Sequence, residues 1–344
     1  MNGCFVYQAK RLKTGCGGGF FSQTDYFDNK RGSRISYESK GLIAFAVKYA
    51  ALLSYAATAG LVAEACGGST FSDQHIHGLV AAKAAAITAS QKEKIVFFEK
   101  SGVVLQAKKT DIYSVESEEV LYFTDDVCVK RQKNKRDKQP RPVSENKRHN
   151  TRVSLFQDRG QGYITAVAGI GVDNVLLVKA LLCETYPDKA RALPVVAITD
   201  GATGIRNELN LVFGGGFSHI LDWYHLQKKV HETMTMISVK ADREFYCKDM
   251  LALLWKGKPL ETIAYLDGIT AKNGAAKSML ITYLTKNQTT IIDYGRRQEA
   301  GKTIGSGRGE KQNDILVAKR QKYNGMAWSP KGATAMTLNT ASYL

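Results

Sequence analysis

Apolar positions recur at helical spacing early in the chain and later give way to short, almost wholly apolar runs. Over residues 41–65, Leu42, Phe45, Tyr49, Leu52, Leu53 and Ala56 fall near one face of a helix. Gly67-Gly68 ends that pattern, and Ser72 stands as the N-cap of a second helix carrying Ile76, Leu79, Val80 and Ala84. Residues 1–40 read as an irregular, glycine-rich segment. A helical region over 41–93 is followed by a connector over 94–119, with extended segments expected at 95–98 and 103–107.

From residue 120 the period changes. The run 120–124 reads as a buried strand ending at Asp125, and the alternation at Val127 and Val129 as a further extended segment. Residues 153–156 and 163–168 pair across Gly160-Gln161-Gly162. A helix is expected over 175–186, a buried strand over 194–199 ending at Asp200, and a short strand over 217–221 ending at Asp222. Residues 223–293 are helical in pattern, with breaks near Lys256-Gly257-Lys258-Pro259 and Lys272-Asn273-Gly274. The turn Gly305-Ser306-Gly307-Arg308-Gly309 then delivers Glu310 to an amphipathic segment ending at Arg320.

Composition adds three bounds. The chain of 344 residues is 44% hydrophobic and 23% charged, enough for a sizeable core and two or three domains. Its net charge of +16 points to an acidic partner, most often nucleic acid. Cysteines 4, 16, 66, 128, 183 and 247 lie without CxxC pairing, so neither a zinc ribbon nor a disulfide framework is readable, and reduced core thiols of a cytoplasmic protein are expected. The apolar stretch 42–63 is long enough to raise a membrane span, but Lys48, Ser54 and Thr58 interrupt it, and a buried helix is the better reading.

The two early helices outline a helix-turn-helix for DNA binding, an outline shared by any helical hairpin. His75 and His77 are polar-face residues two apart, a spacing that gives no shared helix face for a metal. Between residues 130 and 152 there are ten Lys/Arg against Asp137 and Glu145. Lys130, Arg131, Lys133, Lys135 and Arg136 are therefore candidates for phosphate contact.

The acids carry the chemistry. Cleaving a phosphodiester requires an activated water and a stabilised leaving oxygen, and two divalent ions about 3.5–4 Å apart do both when carboxylates from separate elements hold them. Asp125 and Asp200 at strand ends and Glu310 on a late helix could converge in that way. Asp126 competes with Asp125, since alternation turns the two to opposite faces, and Asp314 competes with Glu310 one helical turn later. Asp200 before Gly201 is also a turn former.

Several stretches together resemble bacterial insertion-sequence DDE transposases of the Kra group, with kinship to the Mutator-like superfamily. They are Thr124-Asp125-Asp126-Val127-Cys128-Val129-Lys130-Arg131-Gln132, Ile198-Thr199-Asp200-Gly201-Ala202, Ile220-Leu221-Asp222-Trp223-Tyr224-His225-Leu226, Lys302-Thr303-Ile304-Gly305-Ser306-Gly307, and Arg320 followed by Gly325-Met326-Ala327-Trp328-Ser329. The resemblance spans about residues 120–335. It implies an α/β RNase H-like catalytic domain with a helical insertion at about 223–300, preceded by the mainly α-helical N-terminal region and followed by a tail over 336–344 that is expected to be a truncated end.

It further implies that Asp125, Asp200 and Glu310 are the catalytic, metal-binding acids for two Mg²⁺ or Mn²⁺ ions, and that Asp222 and His225 form an auxiliary motif. That motif either meets phosphate or caps the first insertion helix. Arg320 and Trp328 suit DNA contact, with core packing the rival for Trp328. The implied protein binds the ends of its own element and target DNA as a homo-oligomer and transfers a 3′-hydroxyl end. The alternatives are a decayed, non-catalytic DNA-binding relative and a metal-dependent DNA nuclease on the same core.

Overall fold

The computed structural model of the chain describes residues 12–13, 20–21, 40–66, 71–132, 148–160, 162–323 and 326–343. Lys133, Lys135, Arg136, Cys4, Cys16, the Gly67-Gly68 turn and Gly325 lie outside the described residues. The chain divides into two compact units, Met1–Lys83 with Tyr343, and Ala84–Ser342 with Leu344.

In the first unit a two-residue antiparallel pair, β1 (Leu12–Lys13) and β2 (Phe20–Phe21), precedes α1 (Lys40–Ala50) and α2 (Tyr55–Ala65). The single helix expected over 41–65 is thus two. Ser54 is extended and its hydroxyl accepts the Ala57 N–H, so a side-chain cap replaces the helical ladder at that point. Leu52 and Leu53, expected on the apolar face, are exposed at the break.

The next helix, α3 (Asp73–Ser101), starts where expected, with the Ser72 hydroxyl accepting the His75 N–H. It runs through 95–98, where a strand was expected. No glycine or proline interrupts the run from Leu79 onward until Gly102, whose φ of 62° ends it, and a growing helix gains a hydrogen bond for each residue added. The segment expected over 103–107 contributes one isolated bridge, Ala107 to Leu193. No helix among the described residues is long and apolar enough to cross a membrane. Cys66, Cys128, Cys183 and Cys247 are free thiols.

The second unit is built on a mixed five-stranded sheet with helices on it, an α/β arrangement. Its strands are β3 (Val120–Lys130), β4 (Arg148–Gln157), β5 (Tyr163–Ala166), β6 (Val195–Thr199) and β7 (Ser218–Leu221), in the spatial order β5-β4-β3-β6-β7. The pairs β5–β4 and β4–β3 are antiparallel, whereas β3–β6 and β6–β7 are parallel. All five residues of β6 are buried, as befits an apolar run covered on both faces. Between strands lie α4 (Asn174–Thr185) and α5 (Thr203–Phe213).

The long helical stretch resolves into α6 (Trp223–Ile237), α7 (Lys240–Trp255), α8 (Pro259–Asp267) and α9 (Gly274–Asn287), with short α10 (Tyr294–Glu299) after them. The breaks fall where Gly257, Pro259 and Asn273 predict. Then come α11 (Gly307–Asn313), a π-helical turn (Asp314–Ala318), α12 (Lys319–Gln321) and α13 (Pro330–Ala341).

Strand alternation sorts the core into two layers. Leu121, Phe123, Val196 and Ile198 pack with Trp223, Leu226, Met250, Leu280 and Leu284 from the helical stretch. Val120, Tyr122, Val195 and Ala197 pack with Val178 and Leu182 of α4 and Ile205 and Leu209 of α5. Asp125 is not at a strand end, because β3 stays paired with β4 through Lys130 and Arg148; the alternation at Val127 and Val129 belongs to the same strand. Residues 148–152 of the basic stretch are likewise part of β4.

One buried cation braces the approach to the glycine turn. Arg297 is fully buried, forms a two-nitrogen contact with Glu119 at 2.9 and 3.1 Å, and donates to the Thr303 and Ile112 carbonyls. Lys302 shares Glu119 at 3.2 Å. Arg297→Ala would leave Glu119 with Lys302 alone and strip the Thr303 and Ile112 carbonyls of their donor, so it should cost on the order of 3 kcal/mol. Urea denaturation checks this, and a loss below about 1 kcal/mol would show that the brace is dispensable.

Candidate metal-binding active site

Three acids that are far apart in sequence border one cleft. Asp125 reaches it from the middle of β3, Asp200 from just after β6, and Glu310 from the first turn of α11. Phe123, Val153 and Leu155 form an apolar wall, and no lysine or arginine is among the lining residues. Thr124, Thr199, His225, Ser306 and Asn313, the last not anticipated from sequence, complete the polar lining.

Backbone geometry explains each placement. Alternation gives Asp125 the face of Leu121 and Phe123, and gives Asp126 the opposite face. There Asp126 meets Arg152 at 2.6 and 2.8 Å, and Arg152 also pairs with Glu208 of α5. Asp126 is thereby occupied elsewhere. Asp200 takes part in the turn its sequence suggests, its Oδ1 accepting the Ala202 N–H at 2.8 Å. Gly201 follows with φ 77°, and a Cβ there would stand 2.6 Å from Asn287 Oδ1, so both backbone and space demand glycine. Asp314, the rival of Glu310, begins the π-helical turn and is not among the cleft residues.

Asp222 is the buried partner of this site. Its side chain is 1% exposed, and its Oδ1 caps α6 by accepting the His225 N–H at 2.7 Å. Its Oδ2 accepts the Ser306 N–H at the entrance to α11. Gly305 permits that approach: a Cβ there would lie 2.6 Å from the Tyr224 ring. The Asp222 N–H in turn donates to the Thr199 carbonyl at 2.8 Å, next to Asp200.

The His225 ring sits between two acids, with Nδ1 3.4 Å from Asp222 Oδ1 and 3.5 Å from Glu310 Oε1. Both contacts are long for hydrogen bonds. Among the described residues, Asp222, His225 and Glu310 are the set of three whose donor atoms all lie within 4.8 Å, and such a group could hold a metal ion. Asp125, Asp200 and Glu310 do not form so tight a set.

Electrostatics follow from burial and these neighbours. Burial pushes the Asp125 carboxyl up; the Asp126 N–H opposes that, and the charge of Asp200 adds to it. Burial would also raise Asp222, but hydrogen bonds from His225 and Ser306 outweigh it and hold the group below the usual carboxylate range. His225 is raised, chiefly by the contact with Asp222, against the opposing effect of burial, with further help from Glu310 and Asp200.

The remaining expected contacts divide. Lys130 is exposed at the end of β3 and Arg131 half-buried beside it. Arg320 is 4% and Trp328 8% exposed. The Arg320 guanidinium lies over the Trp328 ring at 5.0 Å, and the Trp328 backbone is bonded to Lys130 and Gln132. This pair packs in the core, so neither side chain offers a surface to DNA in this structure.

No protein-family model and no curated protein matches the chain. Among solved structures it is similar to the Drosophila P element transposase strand transfer complex, at 9% identity and a TM-score of 0.29, over 94% of this chain and 83% of that one. A likeness so slight carries no argument about fold or activity.

The folded protein holds the His225 proton more tightly than the unfolded chain does. Stabilisation from this contact is therefore complete below the ordinary value of 6.5 and is lost as pH rises through the folded value. Asp222→Asn should bring the His225 titration down, since burial then acts with less opposition. An NMR titration of the ring protons in metal-free protein measures the shift, and an unchanged midpoint would remove Asp222 as its cause.

Proposed function

We propose that the chain is a DDE-type DNA transposase whose second unit is an RNase H-like catalytic domain. The observation that carries the reading is the cleft that Asp125, Asp200 and Glu310 border from three different elements, with no lysine or arginine in its lining. Three antiparallel strands followed by two parallel ones, with the first acid on the central strand and the second just past its parallel neighbour, support the RNase H-like assignment.

The donor set fits hard divalent cations. Its carboxylate oxygens suit Mg²⁺ or Mn²⁺, and Mg²⁺ needs only one or two carboxylates directly because it keeps several waters. Burial and the neighbouring Asp200 act against ionisation of Asp125, a burden that a bound cation would relieve. Asp125, Asp200 and Glu310 would hold two such ions. Bound there, they would supply the activation of water and the stabilisation of the leaving oxygen.

The chain's own groups then have defined tasks. Asp222 fixes the entrance of α11 and so the position of Glu310, and His225, held over Glu310, faces the phosphate path. Water attacks the phosphodiester at an element end, the P–O3′ bond breaks, and the freed 3′-hydroxyl attacks a target phosphodiester with loss of the target's own 3′-oxygen. The net charge of +16, with Lys130 and Arg131 beside Lys133, Lys135 and Arg136, would hold the DNA backbone, and the helical region over 41–93 would bind element ends. A homo-oligomer on DNA would bring two ends together.

Purified protein incubated with labelled element-end DNA and Mn²⁺ should nick it and give joined products with target DNA. Alanine at Asp125, Asp200 or Glu310 should abolish cleavage while end binding persists. Binding without cleavage by the wild-type chain in either Mg²⁺ or Mn²⁺ would contradict the catalytic reading, and nicking without joined products would favour a nuclease.

A further inference from the structure

The polar lining of the cleft includes Asn313, which no acid triad requires and which touches one of the acids directly. Asn313 is three positions after Glu310 on α11, a spacing that places both side chains on one helix face. It is 7% exposed, and its Nδ2 donates to Asp125 Oδ2 at 2.9 Å. The other Asp125 oxygen, Oδ1, accepts the Asp126 N–H at 2.7 Å. Both oxygens of the first carboxylate are therefore oriented before any cation arrives.

The other end of the amide is unusual. Asn313 Oδ1 is buried without a hydrogen-bond partner among the described residues. A buried, unpartnered oxygen is costly and uncommon in folded proteins, and it stands here at the wall of the cleft. A π-helical turn begins at the next residue, and such turns concentrate at functional sites. An apolar side chain in this position would avoid the unmet oxygen, and a lysine or arginine would neutralise Asp125. The neutral amide does neither.

We propose that Asn313 is a positioning residue of the metal site, whose amide holds the Asp125 carboxylate in the orientation that receives a divalent cation and leaves its charge available. This rests on the metal reading of the cleft given above. Residues that orient a metal-ligating side chain by hydrogen bond commonly affect metal affinity 10- to 100-fold when removed.

The test is Mn²⁺ binding to the full chain, followed by electron paramagnetic resonance of the free ion, with no DNA present. Asn313→Ala removes the amide, and Asn313→Leu removes it while filling nearly the same volume, which keeps the comparison open if truncation loosens the fold. Thermal midpoints in EDTA show that each variant is folded. Both variants should bind Mn²⁺ about 10-fold more weakly than wild type, and their DNA cleavage should recover at saturating Mn²⁺. Asp125→Ala is the reference. If it loses Mn²⁺ while both Asn313 variants stay within about twofold of wild type, Asn313 only packs and the proposal is overturned. If Asp125→Ala binds Mn²⁺ as wild type does, no cation is held at Asp125, and both the metal reading and this proposal fall.

Discussion

A single buried carboxylate joins the parts of the site. Asp222 uses its N–H to hold the strand end beside Asp200, one oxygen to cap α6, and the other to anchor Ser306 at the start of α11. A charge this deep is tolerated only when its lone pairs are met, and here the hydrogen bonds outweigh burial. The consequence is geometric. Two of the three acids of the cleft, Asp200 and Glu310, are set in relation to one another by a fourth that is itself hidden from solvent. Its oxygens are already occupied, which leaves it better suited to positioning than to ligating a cation, even though it belongs to the tightest donor set.

Charge is segregated at the scale of the sheet. On one face Asp126, Arg152 and Glu208 neutralise one another. On the other, Asp125 is hydrogen-bonded only by neutral donors, the Asp126 N–H and the Asn313 amide, and of the cationic side chains only His225 lies along the same cleft. In a chain with a net charge of +16 an acidic cleft lined by no lysine or arginine is a specific arrangement, and it is the one the proposed divalent cations would enter.

The parts of this design legible in the sequence were those set by period and local chemistry. The strand runs 120–124 and 194–199, the Ser72 cap and the breaks at Gly257 and Asn273 follow from residues within a few positions. The extension of β3 past Asp125 was not legible, because it depends on pairing with β4 about thirty residues later. Residues 95–98 carry strand-like side chains yet continue α3, where helical propagation wins over local preference. Of the cleft residues, Asp200 and Glu310 were reached from the end of β6, the glycine turn and the resemblance, whereas Asp125 was expected at a strand end and lies inside β3. Asn313 was not reached, since nothing marks an asparagine in a polar helix until its contact with Asp125 is seen. Arg320 was read as a DNA contact and Trp328 as either a DNA contact or a core residue; the two pack on each other where the Trp328 backbone bonds to the end of β3.

The most direct test is a crystal structure of the protein with Mn²⁺, located by its anomalous scattering. The account predicts two ions about 3.5–4 Å apart, held by Asp125, Asp200 and Glu310, with Asp222 still bonded to Ser306. A single ion held by Asp222, His225 and Glu310, or no bound ion at millimolar Mn²⁺, would contradict it.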